Sequence, residues 1–217
     1  MIVLKFEKIS TAALVSHIDN LRAVTYTLRR AGIEVEYSQG YNPHMELGFS
    51  SPLALGVESI AEYVSLKAKY EPDILLRLNE VCPDGLSFTN VFNVPDVNLA
   101  AVINRAEYFI SADGIGEVID EILQPNYVIS YEDKGNVVTK DVSSRIFAAK
   151  AIDTDFACVT LATGNDNLRP DRLVKYLLEK HGLGDEYDIL KTNAFVDDVN
   201  ADTYLDSIFL TPCRKNA

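Results

Sequence analysis

The sequence predicts an α+β protein made of two tandem ferredoxin-like βαββαβ units, each an antiparallel sheet with helices on one face. Three observations support this fold class. Residues 2–7 alternate apolar and polar side chains, as a half-buried strand does. Strand and helix patterns then follow one another in the order β-α-β-β-α-β up to residue 95. The same types of element return from residue 106, without a repeat of the residues themselves.

The first predicted unit covers residues 1–95. Its first helix begins after Ser16, a good N-cap residue, and ends before Gly32, which suits a helix C-terminus. The apolar positions expected to face the core are Ile18, Leu21, Val24, Leu28 and Ala31. A second, short helix is expected to begin at Pro72. Strands are predicted at residues 2–7, within 37–55, at 60–69 and at 86–94.

The second predicted unit covers residues 106–197, after a connector at 96–105 and before a tail at 198–217. Alternating apolar residues predict its strands and hairpin, at residues 107–112, 126–142, 156–163 and 187–196. Helical spacing predicts helices over 115–124 and 169–182. The hairpin is expected to turn at Asp133–Asn136.

Composition limits the classes of function. The chain has 217 residues, of which 47% are hydrophobic and 24% charged, so a packed core is expected. Its net charge of -12 argues against wrapping a nucleic-acid backbone without regard to sequence, because each phosphate contact needs a cation. A small local patch for RNA stays compatible with this charge. Without a signal peptide or a long apolar run, we expect a cytoplasmic protein and no membrane segment.

Three widely spaced cysteines, Cys82, Cys158 and Cys213, favour neither a disulfide framework nor a zinc site. They also lack the close spacing with which a radical-SAM enzyme holds its iron–sulfur cluster. We therefore expect no cofactor and no metal in this chain.

An elaborate loop from Tyr37 to Ser59 is the most unusual stretch of the sequence. It contains three glycines, two prolines and a histidine. If the loop packs back on the first helix, His17, Asp19, His44 and Glu46 would converge and could divide acid and base roles. His17 lies at the positive end of the helix dipole, which favours a neutral imidazole. The spacing matches no known metal-ligand motif.

One face of the first helix carries Arg22, Tyr26 and Arg29 at helical spacing. Such a face could hold phosphates and stack a base, and it could equally be a solvated charged surface. Glu58 or Glu62 is expected to pair with an arginine near the end of that helix, Arg29 or Arg30.

Several motifs resemble the bacterial radical-SAM-linked protein family: "SHID", "RRAG", "YSQGYNPH" and "LGVESIAEY". The matching residues are Lys8, Ser16, His17, Asp19, Arg29, Arg30, Gly32, Tyr37, Ser38, Gly40, Asn42, Pro43, His44, Gly56, Ser59, Glu62 and Tyr63. The second half is similar more loosely, through "KDVSSRI", "LRPDRLV" and "ILKTNAF". Met45 and Glu46 stand where family members commonly have a proline and a basic residue, so positive charge is lost here.

The resemblance implies an accessory role to a radical-SAM protein, in RNA modification or processing. Family members occur beside such a protein or fused to it, often near genes for an RNA-cleaving enzyme of the E/G type. The iron–sulfur cluster and S-adenosylmethionine are then expected only on the partner. The resulting candidate binding residues are Ser16, His17, Asp19, Arg29, Arg30, Tyr37, Gly40, Asn42, His44, Ser59 and Glu62. His17 and His44 are the candidate catalytic residues.

Two alternatives stay open. Paired ferredoxin-like folds also occur in metal-independent RNA endonucleases, where His17 could act as a general base. A stand-alone RNA-binding protein of the sheet type is a further alternative. The aromatic signature of that type is missing from every predicted strand.

Overall fold

A computed structural model describes residues 1–209. The first half contains strands β1 (Ile2–Lys8), β2 (Leu47–Phe49), β3 (Glu58–Leu66) and β4 (Leu86–Asn93), and helices α1 (His17–Arg30) and α2 (Ile74–Asn79). A short helix, α3 (Leu99–Val102), leads into the second half.

The second half begins with β5 (Arg105–Ser111) and α4 (Ile115–Val118) and continues with β6 (Val128–Asp133), β7 (Asn136–Asp141), β8 (Ile146–Asp153), β9 (Phe156–Ala162), α5 (Pro170–His181), β10 (Asp188–Val196), β11 (Val199–Asn200) and α6 (Ala201–Ser207). Short 3-10 helices lie at Ser10–Leu14, Ile119–Leu123, Ser143–Arg145 and Gly164–Asp166.

Both halves contribute to one sheet. Within the described chain its strand order is β4-β1-β3-β10-β5-β9-β8, with β2 paired to β3 and β11 paired to β10. All of its pairs are antiparallel except β3 with β10, which run parallel at Glu58 and Ser59. The prediction of a separate sheet in each unit was therefore wrong at this junction. It missed that β10 has neighbours on both sides, β5 of its own half and β3 of the first.

Helix α1 shows why the predicted apolar stripe was partly wrong. Ser16 caps the helix as predicted, and Gly32 follows it with a φ of 66°. The residues that face the sheet include Asn20, Val24 and Leu28, whereas Ile18 is 64% exposed. At about 100° per residue, Ile18 lies roughly 200° around the helix from Asn20, on the opposite side. The stripe read from the sequence combined two faces of the helix.

Each half has its own hydrophobic core on the side of the sheet that carries the longest helices. In the first half, α1 and α2 cover residues that include Leu4, Phe6 and Val64. In the second half, α4 and α5 cover residues that include Ala106, Ile110 and Val159.

Helices also cover the opposite face of the first half, contrary to the prediction of helices on one face only. Leu99 of α3 and Leu205 of α6 pack with Val3, Tyr63 and Phe92 from the back of β1, β3 and β4. The reason is that these strands carry apolar residues on both faces, so the second face also has to be covered by apolar residues. The predicted connector and the start of the predicted tail supply it.

The second half differs from the prediction by one strand. The hairpin of β6 and β7 forms as predicted, with Lys134 and Gly135 at positive φ in its turn, and it makes a small sheet of its own. The outer strand of the large sheet is β8, which the sequence did not predict. Its alanines at 148, 149 and 151 have a low strand propensity, and they interrupt the alternation of apolar and polar residues that would predict a strand.

Residues 210–217, which include Cys213 and the end of the predicted tail, lie outside the described residues. No helix among residues 1–209 is long and apolar enough to cross a membrane.

Candidate functional site

The start of α1 is a compact capping arrangement. The Ser16 hydroxyl accepts a hydrogen bond from the Asp19 amide at 3.2 Å and donates one to the Asp19 carboxylate at 2.8 Å. Arg22 pairs with the same carboxylate at 3.0 Å. The hydrogen bond from Ser16 and then the one from Arg22 lower the pKa of Asp19. Asp19 is thus held at the helix start in its charged form.

His17 lies beside this cap with its side chain exposed. Its ring meets Phe49 of β2 edge-on, with centroids 6.0 Å apart. Four apolar residues near this end of α1 are exposed: Leu14 just before the helix, Ile18 and Leu21 in its first turns, and Leu55 next to Gly56. We call them the α1 apolar surface. The Gly56 amide donates to the Ala13 carbonyl at 3.0 Å, which brings the end of the long loop against the helix start.

His44 lies at the other end of the loop. The Ser38 hydroxyl bonds to His44 Nδ1 at 2.9 Å and accepts from the His44 amide at 3.1 Å. The Ser38 amide donates to the His44 carbonyl at 2.9 Å, so the two residues close a small turn. Gly40 and Asn42 lie inside that turn and are exposed.

The structure does not bring His17 and His44 together. His17 contacts Phe49, and His44 precedes Met45, which begins the extended segment that leads to Phe49. Four residues of extended chain span about 13 Å. Glu46 is engaged elsewhere, in an ion pair with Lys67 at 3.3 Å. Among residues 1–209 no three histidine, cysteine or acidic side chains are grouped as metal ligands.

The remaining exposed candidates are at the far end of α1 and at the base of the turn. Arg29 and Arg30 end the helix, and Tyr37 leads into the loop. The expected pairing of Glu58 or Glu62 with these arginines is wrong. Glu58 accepts a hydrogen bond from the Ser10 amide at 2.6 Å, and Glu62 is buried at the junction of the halves.

Glu62 is the centre of a buried polar cluster. Ser59 and Lys191 both donate to its Oε1, at 2.9 Å and 2.8 Å. Lys8 is also buried and donates to the Val15 carbonyl at 3.3 Å. Burial lowers the pKa of Lys8, and the carboxylate of Glu62 raises it in part. The cluster joins β1, β3 and β10, so it ties the two halves together.

Sequence reasoning identified Ser59 and Glu62 but missed Lys191 as their partner. The two ends of this ion pair are 129 residues apart. One signal was present: Lys191 shares a strand face with Ile189, and a lysine on the apolar face of a strand indicates a buried partner.

We expect His17→Ala and His44→Ala each to change the free energy of unfolding by less than about 1 kcal/mol, because both side chains are exposed. Urea denaturation of the two variants and the parent protein measures this. A loss above about 2 kcal/mol in either variant would make that histidine a structural residue.

Comparisons with known proteins give a family and a distant structural likeness. Residues 1–170 match the family described as an uncharacterized protein conserved in bacteria, DUF2344. A search of curated proteins found no match. The fold is similar to a chain in a crystal structure of a Cbf5-Nop10-Gar1 complex, with 12% identity and a TM-score of 0.44. That likeness covers 89% of this chain and 48% of the other.

Proposed function

The chain belongs to the DUF2344 family of proteins conserved in bacteria, and from this premise we propose that it is a binding module that acts with a radical-SAM protein. In this role it positions the partner or its substrate, and RNA is the proposed substrate class. The partner carries the iron–sulfur cluster and S-adenosylmethionine. The α1 apolar surface is the observation that carries the proposal.

The α1 apolar surface has the composition of a protein-binding site. Ile18 and Leu14 are largely exposed although they are large and apolar, and grouped exposed residues of this type mark interaction surfaces. Charged and polar groups border them, including Asp19, Arg22 and His17. An apolar centre with a polar rim is the usual anatomy of a protein interface.

The motif residues support the same location. Ser16, His17 and Asp19 belong to the "SHID" motif through which the sequence resembles the radical-SAM-linked family, and they border the α1 apolar surface. Binding explains their exposure better than catalysis does, since His17 and His44 contact different parts of the loop.

We also propose that each half is a ferredoxin-like unit, residues 1–95 and 106–197. The strand orders β4-β1-β3-β2 and β10-β5-β9-β8 support this interpretation. In both halves the first strand lies between the last strand and the third, as in the βαββαβ arrangement.

The test is complex formation with the radical-SAM protein encoded nearest to this one, measured by size exclusion with light scattering. We expect a stoichiometric complex with the parent protein and none with Ile18→Asp, because a charge would be buried in the centre of the interface. Ile152→Asp is the matched control, since Ile152 is also exposed but lies on β8 of the second half. Separate peaks for the parent protein, or a complex that survives Ile18→Asp, would contradict the proposal.

A further inference from the structure

A cavity of about 460 Å³ lies where the connector meets the second half, and none of its lining residues belongs to the α1 apolar surface. We call it the Arg145 pocket. Three segments line it: α3 with the start of β5, the turn that leads into β8, and the turn after β9. Their polar and aromatic residues include Asn104, Arg105, Arg145, Phe147, Thr163 and Asp166. The volume is within the range of small-molecule sites.

Arg145 is a charged group without a close partner in this pocket. Its side chain is only 19% exposed, and its ion pair with Asp166 spans 3.8 Å. The structure gives its guanidinium no hydrogen bond to any of residues 1–209. A half-buried guanidinium is costly unless it is paired and hydrogen-bonded, so this one is suited to an anionic ligand.

Arg105 and Phe147 form one wall of the pocket. The Arg105 guanidinium stacks 3.9 Å from the centroid of the Phe147 ring and pairs with Asp198. Phe147 is still exposed, so part of its ring is accessible to a flat ligand. Aromatic rings stack nucleic-acid bases in a sequence-tolerant way, and a stacked arginine strengthens such a surface.

We propose that the Arg145 pocket binds a nucleotide, with its phosphate on Arg145 and its base against Phe147. The planar guanidinium fork matches phosphate oxygens, and the cavity is large enough for more than a single phosphate. This chemistry is shared by a free nucleotide and by the phosphorylated end of a single-stranded RNA. The inference does not depend on the proposed radical-SAM partner.

Asp166 should act as a competitor for the phosphate. It is the carboxylate that faces Arg145, and its side chain is 84% exposed. An exposed carboxylate can turn into water when an anion binds, but its charge still opposes that anion. Removing this charge should therefore tighten binding, an effect that a purely structural role of Arg145 does not produce.

Isothermal titration with adenosine monophosphate tests the site, with adenosine and inorganic phosphate as partial ligands. We expect millimolar or tighter binding of the nucleotide, weakened roughly tenfold or more in Arg145→Gln and tightened about two- to fivefold in Asp166→Asn. Arg172→Gln is the matched control. That arginine is similarly buried, at 25% exposure, but lies over Tyr131 and pairs with Asp133.

A second titration separates the two sources of the phosphate. Short single-stranded RNA with a 5′-phosphate is compared with the same RNA lacking it. Arg145-dependent binding of the phosphorylated RNA alone supports an RNA end as the ligand, and binding of adenosine monophosphate supports a free nucleotide. If neither binds the parent protein, or if Arg145→Gln and Asp166→Asn bind as the parent protein does, the proposal is overturned. Thermal melts show whether each variant is folded. If Arg145→Gln is not folded, the effect of Asp166→Asn on nucleotide binding still decides the proposal.

Discussion

Glu62→Gln is expected to lower the free energy of unfolding by about 3–5 kcal/mol. The substitution removes the negative charge that Lys191 contacts at 2.8 Å and leaves that ammonium buried without compensation. Lys8 loses the same favourable charge. Because the ion pair joins β3 to β10, we expect both halves to be destabilised together, in one urea transition.

A double-mutant cycle identifies the ion pair as the cause. The double variant Glu62→Gln/Lys191→Met should lose much less stability than the two single changes added together, because the Lys191 ammonium is then no longer left buried without its counter-charge. Glu46→Gln is the control: its exposed pair with Lys67 should contribute less than about 1 kcal/mol. A Glu62→Gln protein as stable as the Glu46→Gln protein would show that the buried pair is unimportant.

Gly116→Ala should have the second large effect, a loss of about 3 kcal/mol or more. A Cβ atom at Gly116 would lie 1.8 Å from the backbone oxygen of Asp153. The Gly116 amide also donates to the Thr154 carbonyl at 2.8 Å, so α4 is held against the turn between β8 and β9. The clash is with backbone, and relieving it must move α4 or that turn.

Gly184→Ala is the matched control for this prediction. A Cβ at Gly184 meets no heavy atom within 4 Å, and the residue is not in the left-handed region. We expect a change within about 1 kcal/mol, because alanine lowers only the entropy of the unfolded chain. Urea denaturation of both variants measures the difference. Equal stability of the two would show that α4 adapts without cost.

Local features of the fold could be predicted from the sequence. Ser16 and Gly32 mark the limits of α1 correctly, since capping depends on neighbouring residues. The buried face of α1 was harder to predict. Asn20 faces the sheet and Ile18 faces outward. A pattern of apolar residues does not predict this, because some apolar residues of the helix lie on its exposed surface.

The candidate site was less predictable because its contacts are long-range. Glu62 and Lys191 meet only through the parallel pairing of β3 with β10, a junction that no local pattern encodes. Arg145 and Asp166 likewise meet through packing across the second half. His17 and His44 lie in one motif-rich stretch, yet the loop extends along β3 and holds them apart.

The position of β10 also has a consequence for the newly made chain. This strand is synthesised after β3 and β5, yet it lies between them in the finished sheet. Until β10 emerges from the ribosome, β3 has a free edge at Glu58 and Ser59, and Glu62 lacks its ion-pair partner Lys191. Free strand edges invite pairing with other chains. The nascent first half should therefore be the stage at which this protein most needs a chaperone.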